Sequence, residues 1–422
     1  MHNSSSRMQL WSACLGNLFE HYDGALFGFL SVFLAPLIFP EKEPITALIL
    51  TYGMIPLGML ARPIGSLVFG FIGDMYGRKR ALFLSLAGMA VVSGGIAFSP
   101  TYVQAGFLAP VLFCLGRVLQ NFFSSGESMG GAIFLLENTP EKRHDLLSSL
   151  FNATTVAGIL LASAGVSLLS HFKIVESGWR VLYLLGCVTA VFGCLIRRHM
   201  QTEAFPKAHM KLAHTLPKLM KAFWTCRKPL MLIALSSGFA YANYAMALIL
   251  MNGFIPLVSS ITKSQMMSIN TFLLVLDFCA LPFFGWLASK ISREKMMLAA
   301  ALSVALTGMP LMLLLEGASL WGIIAVRICL VLMGVAFFAP YHAWAGKLIP
   351  PAYRYAVISF GYALGSQLFG APTAAISLWC FRETQMVSSI CWYWVILALI
   401  SSLAIAVTMK LRHRFTIPEE AA

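Results

Sequence analysis

Long apolar runs recur along this sequence and leave it few ways to fold. The chain has 422 residues, of which 59% are hydrophobic and 11% are charged, and its mean hydropathy is +0.78. So few polar residues cannot cover a soluble globule of this length, whereas a helix of about 20 apolar residues crosses the hydrocarbon core of a bilayer. The sequence therefore predicts an all-α, polytopic membrane protein.

Pro, Gly and charged residues separate twelve such runs, and each run is a predicted transmembrane helix. The predicted spans are 9–36, 45–72, 81–98, 105–136, 146–170, 179–198, 229–257, 265–289, 296–315, 319–348, 355–380 and 388–410.

The turn from Gly70 to Arg80 orients these spans. It carries one acid and three adjacent cations, which cannot lie in hydrocarbon. With this turn on the cytoplasmic side, 22 of the 30 Lys and Arg residues fall in cytoplasmic segments and five fall on the other side. This asymmetry predicts cytoplasmic termini, and it accounts for the net charge of +13 without a nucleic-acid partner.

One spacing recurs in the two halves of the chain. Arg117 precedes Pro140 by 23 residues, and Arg327 precedes Pro350 by the same number. Such a repeat indicates an internal duplication. The predicted parts are an N-terminal six-helix bundle (1–200), a cytoplasmic amphipathic linker (201–228) and a C-terminal six-helix bundle (229–422). The linker is expected to lie on the anionic inner leaflet, with a regulatory role as the alternative.

The pattern Gly70-x-x-x-Asp74-x-x-Gly77-Arg78-Lys79-Arg80 resembles the signature loop of the major facilitator superfamily. Three further stretches resemble its metabolite:proton symporters, the family of proline/betaine, 2-oxoglutarate, shikimate and citrate permeases. They are Gly16–Asp23, Arg62–Gly65 and Gln120–Glu127. The resemblance implies two six-helix pseudo-repeats that work by alternating access around a central site.

The sequence departs from that family at several positions. His21 stands where an aromatic residue is usual, and Asn121 and Ser125 stand where glycines are usual. A second copy of the signature loop lies at Gly285–Arg293, and there Ser289 replaces the acid. These departures leave the fold intact and leave the identity of the substrate open.

Polar residues recur at helical spacing on one face of the first span. Asn17, Glu20 and Asp23 share this face, and a carboxylate in hydrocarbon must face a wet cavity or be paired. We expect Glu20 and Asp23 to relay protons, with a structural ion pair as the alternative. Proton coupling is also considered for Glu127 and for His21, whose usual role in a span is packing.

Candidate substrate-binding residues occur in both halves. Arg117 and Asn121 share a face of the fourth span, where a guanidinium could bind a carboxylate or pair with Glu20 or Asp23. The other candidates are Asn17, Tyr241, Tyr244, Asp277 and Arg327. The tyrosines could hold a quaternary ammonium group by cation–π attraction, or could simply pack.

The resemblance implies that Asp74 and Arg78 gate the cytoplasmic side, with Glu137 as their matching charge. The alternative is that this loop only sets the topology. The chain has no phosphate-binding loop, no catalytic triad and no metal-ligand spacing among its nine cysteines, so no cofactor, no metal and no enzyme activity is expected.

The sequence therefore predicts a secondary active transporter of the bacterial inner membrane that works as a monomer. It is expected to couple protons to the symport of a small carboxylate-bearing solute, either a proline/betaine-type zwitterion or a 2-oxoglutarate/citrate-type acid. The alternatives are a proton-independent facilitator or antiporter of the same solutes, and a non-transporting sensor.

Overall fold

The computed structural model describes residues 2–39, 44–76, 78–125, 144–199, 221, 223–349 and 354–410. These residues form helices joined by short turns, and no β-strand occurs among them. Each of the twelve predicted spans overlaps at least one helix, so the all-α prediction is confirmed.

In chain order, the helices up to residue 199 are α1 (His2–Ile38), α2 (Pro44–Met59), α3 (Ala61–Tyr76), α4 (Arg78–Ala97), α5 (Tyr102–Ala105), α6 (Leu108–Ser124), α7 (His144–His171) and α8 (Val175–His199). The later helices are α9 (Arg227–Tyr244), α10 (Met251–Val258), α11 (Lys263–Ile291), α12 (Arg293–Leu313), α13 (Leu320–Phe338), α14 (Tyr341–Leu348), α15 (Arg354–Gly365), α16 (Thr373–Thr384) and α17 (Trp392–Lys410). Two π-helical turns, Ala245–Leu250 and Ser366–Gly370, join α9 to α10 and α15 towards α16, and a 3-10 turn, Val387–Cys391, precedes α17.

Many of these helices are apolar on the outside as well as the inside. Nine helical stretches in the described part of the chain are long and apolar enough to cross a membrane, and two shorter apolar helices accompany them. Large hydrophobic side chains lie open on their outer faces, with exposed fractions of 76% for Val91, 63% for Val188 and 75% for Leu306. Such side chains are stable in lipid and costly in water, which supports a multi-pass membrane protein.

The chain divides into two compact units. The first comprises the described residues of Met1–Thr139, Phe151–Thr215 and Thr262–Val275, and the second comprises those of Pro140–Leu150, Leu216–Ile261 and Leu276–Ala422. The predicted linker lies mostly outside the described residues, and the division into 1–200, 201–228 and 229–422 stays a prediction.

Within the first unit, hydroxyl and amide groups join α7 to the beginning of α11. Ser163 Oγ and Thr271 Oγ1 are 2.9 Å apart, and Asn270 Nδ2 donates to Ser163 Oγ at 3.2 Å. Asn270 and Ser163 are both fully buried, so these bonds satisfy polar groups that would otherwise be stranded away from water.

One helix crossing occurs in both units. In the first unit, a Cβ added to Gly158 on α7 would overlap the carbonyl oxygen of Leu18 on α1. In the second unit, a Cβ added to Gly365 on α15 would overlap the carbonyl oxygen of Ala234 on α9. In each unit, the helix of its fifth predicted span thus approaches the helix of its first so closely that only glycine fits.

Candidate functional site

The polar face of α1 is buried, and its side chains reach different neighbouring helices. Asn17, Glu20 and Asp23 are exposed by 3%, 1% and 3%. The helical period places them on one face, as expected, but each is three residues from the next and therefore points in a slightly different direction. This spread sends one side chain to α7, one to α3, and one towards α4, α6 and α8.

Asp23 lies at the centre of a hydrogen-bonded network inside the first unit. Ser93 Oγ on α4 donates to Asp23 Oδ2 at 2.5 Å, and Gln120 Nε2 on α6 donates to the same oxygen. Gln120 Oε1 in turn accepts from the guanidinium of Arg117. The amide thus presents its oxygen to the cation and its NH2 group to the carboxylate, so it links the two charges.

The guanidinium of Arg117 contacts both an amide and an aromatic ring. Arg117 is only 4% exposed, and its guanidinium lies over the ring of Phe27, with 4.8 Å between the guanidinium carbon and the ring centroid. Phe27 follows Asp23 by one helical turn on α1. Arg117 was expected to bind either a solute carboxylate or an acid of the first span, and the structure joins it to Asp23 through Gln120.

The second oxygen of Asp23 faces α8. In the described part of the chain, Oδ1 is buried and accepts no hydrogen bond. A Cβ added to Gly186 on α8 would lie 2.8 Å from this oxygen, so α8 can approach only because this residue is glycine. The hydroxyl of Tyr183, one turn earlier, is also buried without a hydrogen bond to any described residue. Buried polar atoms in proteins normally have a hydrogen-bond partner, so these two oxygens are exceptions within the described part of the chain.

Glu20 belongs to a separate network. Arg62 NH2 forms an ion pair with Glu20 Oε1 at 3.3 Å and donates to Ser124 Oγ at 3.2 Å, while Arg62 Nε donates to Asn121 Oδ1 at 3.1 Å. Arg62 lies just after the break between α2 and α3, and its side chain is 25% exposed. The two acids of α1 therefore have different cations: Glu20 has Arg62, and Asp23 has Arg117 through an amide.

Asn17 and His21 are engaged in helix contacts. Asn17 Nδ2 donates to Thr154 Oγ1 and Thr155 Oγ1 on α7, both at 2.9 Å. His21 Nδ1 lies 2.8 Å from the carbonyl oxygen of Asn17, and because that oxygen only accepts, Nδ1 is the donor. These contacts match the packing alternative for His21, and the roles of both residues in binding or coupling stay predictions.

In the second unit, Arg327 is completely buried and donates from NH2 to the carbonyl oxygen of Ala247 at 2.9 Å. Ala247 lies in the π-helical turn between α9 and α10, where the backbone leaves the α-helical hydrogen-bond pattern. Asp277 is half-buried on α11. Their predicted roles in substrate binding remain predictions.

Four aromatic residues of the second unit form two groups, of which the first contains the candidates Tyr241 and Tyr244. Tyr241 and Tyr244 form an edge-to-face pair with ring centroids 5.9 Å apart, and both are half-buried. Tyr341 and Trp344 are fully buried, and they donate to Ile233 O at 3.0 Å and to Thr408 Oγ1 at 3.4 Å. The first pair therefore keeps open surface, whereas the second is part of the core.

The remaining candidates cannot be placed as side chains. Glu127 and Glu137 lie outside the described residues. Asp74 lies in the last turn of α3 and Arg78 begins α4, and Gly77 between the two helices lies outside the described residues. Their gating role stays a prediction. No group of three potential metal ligands occurs among the described residues.

Sequence reasoning missed three residues of the two networks: Arg62, Ser93 and Gln120. Arg62 and Gln120 were noticed only as parts of family-like stretches. An arginine inside an apolar span must find an anion or a polar cluster, so Arg62 carried a signal that could have been used. Ser93 carried none, because buried serines are frequent on transmembrane helices and most only contact their own backbone.

Comparisons with known proteins agree with this architecture. The family model described as "Sugar (and other) transporter" matches residues 10–202. The chain is 27% identical to a putative proline/betaine transporter of Staphylococcus haemolyticus, over 96% of this chain and 87% of that protein. It is 27% identical to the alpha-ketoglutarate permease of Escherichia coli, over 95% and 94% of the two chains, and 29% identical to the citrate-proton symporter of Salmonella typhi, over 94% and 92%.

Solved structures give the same fold. The D-xylose-proton symporter superposes with a TM-score of 0.77 at 16% identity, covering 96% of this chain and 98% of its own. A POT family transporter in complex with a peptide conjugate superposes with a TM-score of 0.66 at 12% identity, covering 97% and 96%.

Proposed function

Since the chain is a multi-pass membrane transporter with the major facilitator fold, and its predicted resemblance to the metabolite:proton symporters is confirmed, we propose that it couples protons to the uptake of a small carboxylate-bearing solute. The solute belongs to the proline/betaine type or to the 2-oxoglutarate/citrate type, the two types that the relatives' names describe. The transporter is not an enzyme.

The observation that carries this proposal is the buried link between Asp23 and Arg117. Asp23 Oδ2 accepts from Ser93 and Gln120, while Oδ1 accepts from no described residue. A proton arriving on Oδ1 would therefore displace no donor. It would remove the negative charge that Gln120 connects to Arg117, and in a low-dielectric interior that loss is large enough to change which conformation is favoured.

Coupling requires only that proton and solute favour the same conformational change. In this proposal Asp23 and Glu20 carry protons, with His21 and Glu127 as further candidates. Arg117, Asn121, Asn17, Tyr241, Tyr244, Asp277 and Arg327 are the candidate solute contacts. Asp74, Arg78 and Glu137 are the candidate gating residues.

We further propose that the protein lies in the inner membrane of a bacterium with both termini in the cytoplasm, and that it works as a monomer. The asymmetric distribution of Lys and Arg supports the orientation. Two six-helix halves would rock about the solute, as implied by the fold.

The test is uptake into proteoliposomes of labelled proline, betaine, 2-oxoglutarate and citrate, each with and without an inward proton gradient. We expect accumulation of one of these solutes above its outside concentration only when the gradient is imposed. Asp23→Asn should abolish accumulation but still allow exchange of labelled for unlabelled solute, because an amide cannot release the proton. Glu316→Gln, which removes an exposed acid between α12 and α13, is the matched control and should accumulate solute normally.

Equilibration of a solute to the same level with and without the gradient would contradict symport and favour a facilitator. Binding without any flux would favour a sensor.

A further inference from the structure

We propose that Arg62 is the cation that binds the carboxylate of the solute, and that Glu20 occupies Arg62 in its place when no solute is bound. This inference rests on the proposed function, because it presumes a carboxylate-bearing solute and a proton that travels with it. Arg62, and not the deeply buried Arg117, would then recognise the solute.

Exposure separates the three arginines that lie in the interior of predicted spans, away from the span ends. Arg117 is 4% exposed and Arg327 is 0% exposed, whereas the side chain of Arg62 is 25% exposed. A solute can form a bidentate contact only with a guanidinium edge that it can reach. Of these three side chains, Arg62 alone presents such an edge.

The donors of Arg62 are only partly used. A guanidinium has five N–H groups on Nε, NH1 and NH2. Nε donates to Asn121, and NH2 donates to Glu20 and Ser124. Within the described part of the chain, NH1 donates to nothing. This partly exposed side chain therefore keeps one nitrogen available to an incoming carboxylate.

The contact between Arg62 and Glu20 is long for an ion pair. Charge-assisted N–H···O bonds usually measure about 2.7–2.9 Å and are strongest when two of them run in parallel. Here a single nitrogen meets a single oxygen at 3.3 Å. A solute carboxylate that engages NH1 and NH2 together would make a better contact than Glu20 makes, so the exchange is favourable.

Asn121 and Ser124 both accept hydrogen bonds from this arginine. Asn121 Nδ2 donates to the carbonyl oxygen of Arg117 at 2.9 Å, which turns Oδ1 towards Arg62. Ser124 Oγ donates to Asn121 O at 3.2 Å, which leaves its lone pairs facing Arg62. Both neighbours thus fix the plane of the guanidinium while the negative charge beside it is exchanged.

Replacement of Glu20 by a solute carboxylate at Arg62 would couple solute binding to proton uptake, because the charge at Arg62 stays balanced. Without solute, ionised Glu20 neutralises Arg62. When a solute carboxylate takes that place, Glu20, which is 1% exposed, loses its ion pair with Arg62, and a proton on Glu20 lowers the cost of keeping its negative charge buried. Solute and proton therefore bind together, and the charge next to the Arg62 guanidinium is balanced in both states, by the Glu20 carboxylate in one and by one solute carboxylate in the other.

The experiment measures binding of proline, betaine, 2-oxoglutarate and citrate to the purified full-length protein, at several values between about pH 5.5 and 8. We expect Arg62→Lys to weaken binding of the accepted solute about 10- to 100-fold, the range for a lost charge-assisted contact. Arg180→Lys is the matched control, because Arg180 lies over the Trp179 ring and donates to Ser99 O, away from Arg62. It should bind as the wild type does.

Glu20→Gln provides the second arm, since it fixes the neutral state of this residue. It should bind solute at least as tightly as the wild type, with an affinity that no longer changes across the pH range, and it should exchange solute without accumulating it. Thermal unfolding of each variant shows whether it is folded. A wild-type affinity in folded Arg62→Lys, or an unchanged pH dependence in Glu20→Gln, would overturn the inference.

The two failures are distinguishable. If the wild type accumulates a solute under the proton gradient but Arg62→Lys keeps its affinity, only this inference is wrong. If the wild type binds none of the four solutes, the proposed function is wrong and this inference falls with it.

Discussion

The two units hold their buried arginines in different ways. Arg117 of the first unit is joined through Gln120 to an acid, Asp23, that can take up a proton. Arg327 of the second unit donates to a backbone carbonyl, that of Ala247, which cannot. Both arginines precede a proline by 23 residues, so the same position in the repeat carries the same cation with different chemistry around it.

This difference separates two ways of stabilising a charge in a membrane. A carboxylate neutralises the cation fully, but the neutralisation ends when the carboxylate is protonated. A carbonyl dipole stabilises the cation less, but it does so at every pH. The first unit is therefore suited to respond to protons, and the second is suited to hold a fixed positive charge.

The largest loss of stability is expected when Arg117 is replaced. Arg117→Met should cost about 3–5 kcal/mol of unfolding free energy, because Asp23 would be left as a buried charge without its cation. Thermal unfolding of the purified protein in detergent would measure the loss. Adding Asp23→Asn should restore much of the stability, since the double variant has no stranded charge. A double variant as unstable as Arg117→Met would mean that the two residues are not coupled through Gln120.

A smaller loss of stability is expected when Arg327 is replaced. Arg327→Met should cost about 1–3 kcal/mol, the penalty for a carbonyl left without its donor. The same unfolding experiment at neutral and acidic pH provides the comparison. The cost of Arg327→Met should be alike at both, whereas the cost of Arg117→Met should shrink when Asp23 is protonated. An equal pH dependence of the two variants would remove the distinction drawn between the units.

The smallest effect is expected where α8 approaches Asp23. Gly186→Ala would place a Cβ 2.8 Å from Asp23 Oδ1, and the carboxylate could turn aside at a cost of about 1 kcal/mol, the low end for overpacking. That movement would weaken the contacts with Ser93 and Gln120, so the dependence of uptake on the proton gradient should change while the fold persists.

Gly24→Ala is the control for this variant, because an added Cβ there meets no heavy atom within 4 Å. Equal gradient dependence in Gly186→Ala and Gly24→Ala would show that the geometry around Oδ1 is unimportant for coupling.

The positions of the helices could be predicted from the sequence, but the contacts between the helices could not. The apolar runs located the spans, and the spacing of Asn17, Glu20 and Asp23 placed all three on one face of α1. Helical periodicity defines a face but does not say which helix packs on it. The pairing of Glu20 with Arg62, and the separation of that pair from Asp23, depend on how distant helices meet and could not be read from local spacing.

The π-helical turn of the second unit could not be predicted from the sequence either. The π-helical turn at Ala245–Leu250 has an apolar sequence, AMALIL, that would suit an ordinary α-helix. Nothing in that composition indicates that Ala247 O becomes an acceptor for a side chain 80 residues away. The charge on Arg327 required some partner, but only the folded backbone identifies it.

The close helix crossings at Gly158 and Gly365 limit which substitutions such a protein can accept during evolution. If the halves descend from one ancestral bundle, this crossing is something both copies inherited, while the residues that handle charge diverged around it. A mutation of either glycine to alanine would disrupt helix packing and would be selected against, whereas the neighbouring polar residues can be substituted. New specificities in such a lineage would therefore arise from polar substitutions on an unchanged helical frame.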